Sequence, residues 1–363
     1  MALKSPLSRL RTRAFRPSSW LAGAGLALAG AAAPACLAAD GADRSGWFTL
    51  TAENNNFAVN QDRHYVNGFN FAYLSAPLSG GSGWFGRTAA GIEDALPPLF
   101  PRAGQSIDRR FEWTALGQQI FTPSNKSLEP PDPRDRPYAG WLYTGISLLQ
   151  DRDGRELSDL SATVGVVGPG AFGEQVQNGF HKMFGFGNAN GWKHQLNNEP
   201  AVTLEYVRKW RLVTSLAEGY GVQADLVPEL GAAVGNVFTY AEASALVRVG
   251  VGLDADYGPR LMQPGLTGGA YFNPQRAARS WGLNVFGGIQ ERVVGHNIFL
   301  DGNTWQAGPS VDKYPFVHDE VFGVSAFGWR NVRADFTYVR RSREFGAQTG
   351  VDRYGSINLT ARW

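Results

Sequence analysis

"RYGSINLTARW", residues 353–363, is the last stretch of the chain, and it alternates apolar with polar side chains. Ile357, Leu359, Ala361 and Trp363 fall on one face of this stretch when it is extended, because successive side chains of a β-strand point to opposite sides. Alternation over this length predicts a half-buried strand rather than a helix. The fold therefore depends on how often this period recurs in the rest of the chain.

The period recurs along most of the sequence, in segments of roughly ten residues separated by turn signals. Twelve such segments occur, at 46–53, 67–75, 111–121, 139–150, 157–167, 200–210, 220–233, 237–252, 279–292, 316–329, 331–342 and 353–363. An even number of alternating strands, with many glycines and with aromatic residues near the segment ends, is typical of a transmembrane β-barrel. The aromatic terminus, Trp363, is typical of bacterial outer-membrane barrels. We predict an all-β, antiparallel outer-membrane barrel of about 12 strands, and a soluble barrel or sandwich with the same period stays open.

The first 39 residues have the layout of a secretory signal peptide, with five basic side chains, no acid and then an apolar stretch of small residues. We expect residues 40–363 to form a single barrel domain. Removal of the signal leaves 29 basic and 32 acidic side chains, so composition does not favour a nucleic-acid partner. Cys36, the single cysteine, lies within the signal. Acylation of Cys36 in a lipoprotein is the alternative.

The order of the strands sorts the connections onto two ends of the barrel. If the mature chain starts in the periplasm, connections after odd strands are extracellular, and several of them are long and polar: 54–66, 122–138, 168–199 and 293–315. Connections after even strands return to the periplasm, and those at 152–155 and 330–333 are short. The stretch 75–110 is an exception, because it predicts a long periplasmic excursion.

Three extracellular connections hold the side chains suited to chemistry. The first, within "ENNNFAVNQDRHYVNG" at 53–68, contains far more Asn and charge than a turn requires. The second, 122–138, contains Lys126, Arg134 and Arg136 among stiffening prolines. In the third, "AFGEQVQNGFHKMF" has an apolar residue every fourth position, which predicts a short amphipathic helix near 171–185. Gln177 and His181, four residues apart, would point the same way on that helix.

Several blocks together resemble the lipid A deacylase family of outer-membrane enzymes. They are "ENNN…DRHYVNG", "GQQIFTPSNK", "DRPYAGWLYTG", "GVVGPGAFGEQVQNGFH", "GWKHQLNNEP" and "NIFLDGN". The resemblance implies a twelve-stranded barrel that removes the 3′-acyloxyacyl group from lipid A, the lipid anchor of lipopolysaccharide. It also implies that His181 is the catalytic base with Gln177 as its companion, that Asn54 and Asn55 are the paired residues after the first strand, and that Lys126 is the lysine of the second loop.

The sequence departs from the family pattern at two positions. Family members usually have Asn-Asp where this chain has Asn54-Asn55, and usually have Thr where it has Val66. An amide cannot supply the negative charge of the missing carboxylate, so a Ca²⁺ site, with Asn55 and Glu53 as the predicted ligands, would differ from that of the family. The nearby carboxylates of Glu53 and Asp62 could compensate, because calcium accepts carboxylate and carbonyl oxygens in flexible sets. An enzyme with altered metal dependence and a degenerate lipid binder both stay open.

The enzyme interpretation assigns roles from chemistry. Neutral imidazole suits base catalysis near neutral pH, so His181 would take a proton from the water that attacks the ester carbonyl. Lys126 or a calcium ion, with Asn54 and Asn55, would stabilise the oxyanion. Arg134 and Arg136 are the candidates for the lipid A phosphates, although each could instead pair with a nearby aspartate.

Three other classes of protein compete with this interpretation. An outer-membrane phospholipase would have Ser two residues after a His, and none of the five histidines is followed in that way. A porin-like channel needs a charged lumen rather than dense polar motifs at one rim. An adhesin would be defined by the variability of its outer loops, which one sequence does not reveal. His64 suits a rim position, His194 a supporting one, and His296 and His318 ordinary loop positions.

Overall fold

The structure of the protein is a computed structural model, which describes residues 46–58, 62–78, 83–104, 106–185, 187–259, 271–329 and 331–362. The expected signal peptide with Cys36, and the terminal Trp363, lie outside the described residues. None of the helices in the described segments combines the length and the apolar character needed to cross a bilayer.

Thirteen β-strands and three α-helices are present in the described residues. The strands are β1 (Trp47–Asn54), β2 (His64–Leu74), β3 (Ile107–Thr122), β4 (Ala139–Arg152), β5 (Glu156–Val167), β6 (Glu199–Trp210), β7 (Leu212–Ala217), β8 (Val222–Gly235), β9 (Phe238–Val251), β10 (Gly282–Asn297), β11 (Phe316–Gly328), β12 (Val332–Arg341) and β13 (Asp352–Arg362). The helices are α1 (Gly83–Ala95), α2 (Gly173–Phe184) and α3 (Ile298–Asp301).

The sheet closes into a barrel of antiparallel neighbours. β1 pairs with β2 on one side and with β13 on the other, from Trp47 opposite Arg362 to Asn54 opposite Gly355. Closure comes from β6 and β8, which pair from Thr203 opposite Gly235 to Lys209 opposite Glu229. β7 pairs only with the first part of β8 among the described strands. The prediction of about 12 strands is therefore confirmed, and β7 is one short extra strand that continues β6 beyond Arg211.

Alternation along the strands separates a packed lumen from an apolar outer surface. On β4, Trp141, Tyr143 and Leu149 belong to the main buried cluster inside the barrel. Ile146 has the opposite parity and is 45% exposed. Similarly exposed aliphatic residues occur on the other strands, among them Leu116, Val164, Leu204, Val247, Ile289, Val324 and Leu359. An apolar belt of this kind faces lipid in outer-membrane barrels.

The lumen is filled by side chains, and many of them are charged. Arg248 is fully buried between Asp225 and Asp256, and it pairs with both. At the extracellular end of the lumen, Nε of Arg341 lies 2.8 Å from Oδ1 of Asp319. Buried charges persist when they are paired and hydrogen-bonded. A lumen filled by paired side chains is expected for a barrel that serves as a rigid scaffold, and it is less suited to the porin-like channel.

Candidate active site

Helix α2 presents two different faces. It follows a 3-10 turn at Pro169–Ala171 and begins after Phe172, which has a left-handed backbone with φ 58°. Phe172, Val176 and Phe180 are exposed, whereas Gln177 and His181 are buried. The prediction of a short loop helix near 171–185 is confirmed, and the four-residue spacing places the amide and the imidazole on its inward side.

The inward side of α2 meets the outer wall of the barrel rather than the lumen. Asn54 and Asn67 are paired across β1 and β2, and Ile120 is opposite Asn67 on β3. All three have the parity of the lipid-facing side chains, opposite to that of Glu53 and Phe121. A register shift between Tyr65 and Asn67 adds Val66 to this outer surface.

A cleft with an empty volume of about 410 Å³ separates α2 from this wall. Its lining residues are Asn54, Asn56, Asp62, Val66, Asn67, Ile120, Val176, Gln177, Phe180 and His181. The strands and α2 each contribute apolar and polar side chains to it, so the lining combines aliphatic and aromatic groups with amides, a carboxylate and an imidazole. A mixed lining of this kind suits an amphipathic ligand with a polar reacting group.

The hydrogen bond at one ring nitrogen determines the tautomer of His181. Nδ1 lies 2.7 Å from the carbonyl oxygen of Gly187, and a carbonyl only accepts, so Nδ1 carries the proton. In the neutral ring the lone pair is then on Nε2. Oδ2 of Asp62 lies 3.5 Å from Nε2. The arrangement gives His181 an oriented basic nitrogen with a carboxylate beside it.

Gln177 is oriented by a neighbouring indole. Nε1 of Trp192 donates to Oε1 of Gln177 over 3.0 Å, which leaves the amide nitrogen as the free end. That nitrogen, Nε2, is buried and has no hydrogen-bond partner among the described residues. A buried donor without a partner is costly in a folded protein. Its position in the cleft lining makes it a ready donor for a ligand oxygen.

Lys126 reaches the cleft through Asp62. Its ammonium pairs with the Asp62 carboxylate and also donates to the Asp62 backbone carbonyl. The carbonyl of Lys126 accepts from the backbone of Asn190 at 2.8 Å, which ties the second loop to the segment after α2. Burial lowers the pKa of Lys126 below its ordinary value of 10.5, and the charge of Asp62 opposes this shift.

The chain resembles known proteins both in sequence and in fold. The sequence profile of the family described as "Outer membrane protein LpxR" matches residues 24–363. The chain belongs to the LpxR family. This result confirms the family predicted from the sequence motifs, and with the closed barrel it locates the protein in the bacterial outer membrane as a barrel of the lipid A deacylase type.

One of the similar solved structures has the same fold. LpxR from Salmonella typhimurium superposes with a TM-score of 0.68 at 20% identity, covering 87% of this chain and 99% of that one. The β domain of the Bordetella autotransporter BrkA gives a TM-score of 0.42 at 9% identity, with 87% and 98% covered. An outer membrane channel from Pseudomonas putida F1 gives 0.39 at 12% identity, with 91% and 99% covered. No curated protein matches the sequence.

The two asparagines predicted to face His181 differ in placement. Asn54 lines the cleft, and its Oδ1 accepts from the backbone of Asn56 at 2.7 Å, so its amide nitrogen is the end available to a ligand. Asn55 is not part of the lining. Its Nδ2 donates to the carbonyl of Arg63 at 3.2 Å, and its Oδ1 is buried without a hydrogen-bond partner among the described residues.

The two predicted calcium ligands have different surroundings. The carboxylate of Glu53 accepts from the Tyr65 hydroxyl at 2.7 Å inside the barrel, whereas Oδ1 of Asn55 and Oδ1 of the neighbouring Asn56 are buried without a hydrogen-bond partner among the described residues. The described part of the chain holds no group of three or more His, Cys, Asp or Glu residues that could bind a metal. Calcium takes about six to eight oxygen ligands, which include amide and backbone carbonyl oxygens as well as carboxylates, so calcium binding stays a prediction.

Replacing Asn55 by Asp, the usual family residue, is expected to create a response to calcium. The new carboxylate would lose the Arg63 hydrogen bond and be buried without a partner, which costs stability until a cation binds. Thermal unfolding should therefore show a lower Tm for Asn55→Asp in chelator. Calcium should restore it, by roughly 2–4 °C for each kcal/mol of binding stabilisation. An equal calcium response in the wild type would contradict this.

The two arginines predicted to contact phosphate have different surroundings. Arg134 is 80% exposed and pairs with Asp132 at 2.8 Å, so it stays accessible from outside. Arg136 is buried. It pairs with Glu344 at 2.6 Å and lies over the ring of Phe121. In this position Arg136 ties the second loop to Glu344, while its Nε and one terminal nitrogen have no hydrogen-bond partner among the described residues, and its role toward phosphate stays a prediction.

His64 forms a contact that the sequence did not suggest. Its Nε2 lies 2.9 Å from Oγ of Ser124, and its Nδ1 lies 2.6 Å from Oδ2 of Asp352, an arrangement similar to a serine hydrolase triad. Oδ1 of Asp135, however, lies 3.3 Å from the same Nε2. Burial opposes a charged ring, but the hydrogen bonds to Asp135 and Asp352 outweigh it and raise the pKa of His64 above its ordinary value of 6.5, which makes His64 less suited to accept the Ser124 proton. His64 instead ties three extracellular segments together.

The remaining histidines lie away from the cleft lining. His194 is exposed on a 3-10 turn, His296 lies 3.3 Å from Asp301, and His318 lies 2.5 Å from Glu291. Sequence reasoning did not single out Asn67 or Ile120, although both line the cleft. The signal that would have found them is strand parity, because both lie on the outward face next to the first extracellular loop.

Proposed function

We propose that this barrel hydrolyses the 3′-acyloxyacyl ester of lipid A at its extracellular rim. The observation that supports this most directly is the position of His181 and Asp62 in a cleft on the lipid-facing wall. A bilayer lipid can enter such a cleft sideways, without passing through the lumen. The outer leaflet, where lipid A resides, borders the extracellular ends of the strands.

The lining supports an amphipathic substrate. Val66, Ile120, Val176 and Phe180 offer an apolar wall for an acyl chain. Phe172 and Met183, at the two ends of α2, are also exposed and enlarge the apolar surface of the helix. Val66, at a position where the family usually has Thr, makes the wall more apolar, which favours binding of an acyl chain. Each buried methylene of an acyl chain contributes about 0.8 kcal/mol.

The residues support general base catalysis by His181. Its Nε2 takes a proton from water as the water oxygen bonds to the ester carbonyl carbon, and the Asp62 carboxylate stabilises the imidazolium that forms. The carbonyl oxygen becomes an oxyanion, for which Nε2 of Gln177 and the amide of Asn54 are suitable donors. The bond to the alcohol oxygen then breaks, and the alcohol leaves with the proton from His181.

Lipid A itself provides the test. Mass spectrometry of lipid A from cells with and without the protein should show a loss of mass equal to the 3′-acyloxyacyl group only when the protein is present. The alternative, a catalytically degenerate barrel that binds lipid, rests on the amide at position 55 and on Val66. Unchanged lipid A together with binding of lipid A to the purified barrel would favour that alternative.

Activity is expected to fall at alkaline pH because of Lys126. The ammonium is present below its pKa and is lost above it, and burial has lowered that pKa from 10.5. Loss of the charge leaves Asp62 without its partner beside His181. The alkaline limb of the pH–rate profile should therefore lie below the range of an ordinary lysine, and Lys126→Arg should move it upward. An identical limb in Lys126→Arg would contradict this assignment.

A further inference from the structure

The long connection after β2 folds back onto the outside of the barrel. Phe111 and Leu148 are buried in a separate cluster with Ala89 of α1 and with Phe100. Leu148 is 2% exposed, whereas Ile146, on the same face of the same strand, is 45% exposed. The covered surface therefore has the parity of the lipid-facing belt. It is opposite to that of Leu149, which packs in the lumen.

Polar contacts fix α1 and the segment after it against this wall. Glu93 of α1 is fully buried and pairs with Arg109 of β3 at 2.5 Å. The carbonyl of Leu99 accepts from the Tyr206 hydroxyl and from Arg208, both at 2.7 Å. These contacts span β3 to β6. The helix is thus held in one orientation against the strands.

The side of α1 that faces away from the wall combines an aromatic ring with a positive charge. Trp84 is 65% exposed, and Arg87 is exposed less than one turn further along. Trp prefers the boundary between hydrocarbon and headgroups, where its ring is in apolar surroundings and its N–H stays wet. An arginine at the same depth can pair with lipid phosphate.

We propose that α1 is an interfacial helix that docks into the headgroup region of the inner, phospholipid leaflet of the outer membrane through Trp84 and Arg87. The helix lies on the lipid-facing wall, at the periplasmic end of the strands, immediately beside exposed belt residues such as Ile146 and Leu204. A helix at that height is in contact with the bilayer boundary. This role is independent of the catalytic proposal.

Single cysteine labels test the proposal, because Cys36 is the only cysteine in the sequence. The C36S chain with Trp84→Cys carries a bimane fluorophore and is reconstituted into phosphatidylethanolamine–phosphatidylglycerol vesicles. The lipids include a fraction with a nitroxide on the headgroup, which quenches a nearby fluorophore. The matched control is Arg155→Cys, also exposed at the periplasmic end, but on the β4–β5 turn.

Quenching of the label at position 84, with little quenching at position 155, is the expected result. Emission at position 84 that is as insensitive to the quencher as at position 155 would overturn the proposal. Equal quenching at both positions would also overturn it, since α1 would then have no special relation to the leaflet. A label at 84 that is exposed in vesicles but shielded in native membranes would assign the surface to a protein partner instead.

Discussion

Substitution of His181 by alanine is expected to abolish deacylation while the barrel stays folded. General base catalysis contributes about 10²–10⁴-fold to a rate, and no other imidazole among the described residues lines the cleft. The side chain belongs to a loop helix outside the strand ladder, so its removal leaves the strand pairings intact. The measurement is the rate of release of the acyl group from purified lipid A, with wild type and variant in the same detergent.

Gln177→Ala is the matched comparison for this variant. It removes an oriented donor from the same helix face but not the base, so we expect a smaller loss of kcat than for His181→Ala. Heat-modifiable migration on gels verifies that both barrels are folded. Full activity in His181→Ala would exclude His181 as the base, and the proposed mechanism would be wrong.

The strands were predictable because a barrel has a simple rule, one face to lipid and one to the lumen, and that rule imposes a period of two on the sequence. β7 was missed because its six residues are exposed almost throughout, so no burial pattern distinguishes them. The placement of α1 was also missed. Its contacts with the outer wall involve strands β3 to β6, and such long-range packing leaves no local periodicity.

The site was predictable where local spacing determines geometry and not where distant contacts do. Four-residue spacing is sufficient to place Gln177 and His181 together on one face of a helix. The burial of Arg136 depends on Glu344, more than 200 residues away, and the direction of Asn55 depends on a backbone carbonyl across the first loop. Loop sequences do not encode such partners in any regular pattern.

The sequence suggests Asp62 as a compensating carboxylate, and the structure places it beside His181. It is the one carboxylate in the cleft lining, it faces Nε2 of His181, and it holds Lys126. The family usually has an aspartate at the position of Asn55, which here is an amide bonded to Arg63. Asp62 therefore supplies, from the other end of the same loop, the negative charge that an imidazolium requires beside it.

Asp62→Asn is accordingly expected to lower kcat by about 10²-fold. Two unit charges roughly 4 Å apart near a protein surface interact by about 4 kcal/mol. The partial exposure of Asp62 reduces this to the order of 2–3 kcal/mol, and each 1.36 kcal/mol is about tenfold in rate. The variant also leaves the ammonium of Lys126 unpaired, so its pKa should fall further and the alkaline limb should move to lower pH.

The combined effect of Asp62 and Lys126 on kcat distinguishes a catalytic pair from two residues that act independently. Because Lys126 acts through Asp62, the double variant Asp62→Asn/Lys126→Met should lose about as much kcat as Asp62→Asn alone. Asp62→Glu, which keeps the charge, should restore part of the rate, since a carboxylate can still pair with the lysine. If the two losses simply multiply, and Asp62→Glu is as impaired as Asp62→Asn, the carboxylate does not stabilise the imidazolium through this pair, and its role is limited to the packing of the first loop.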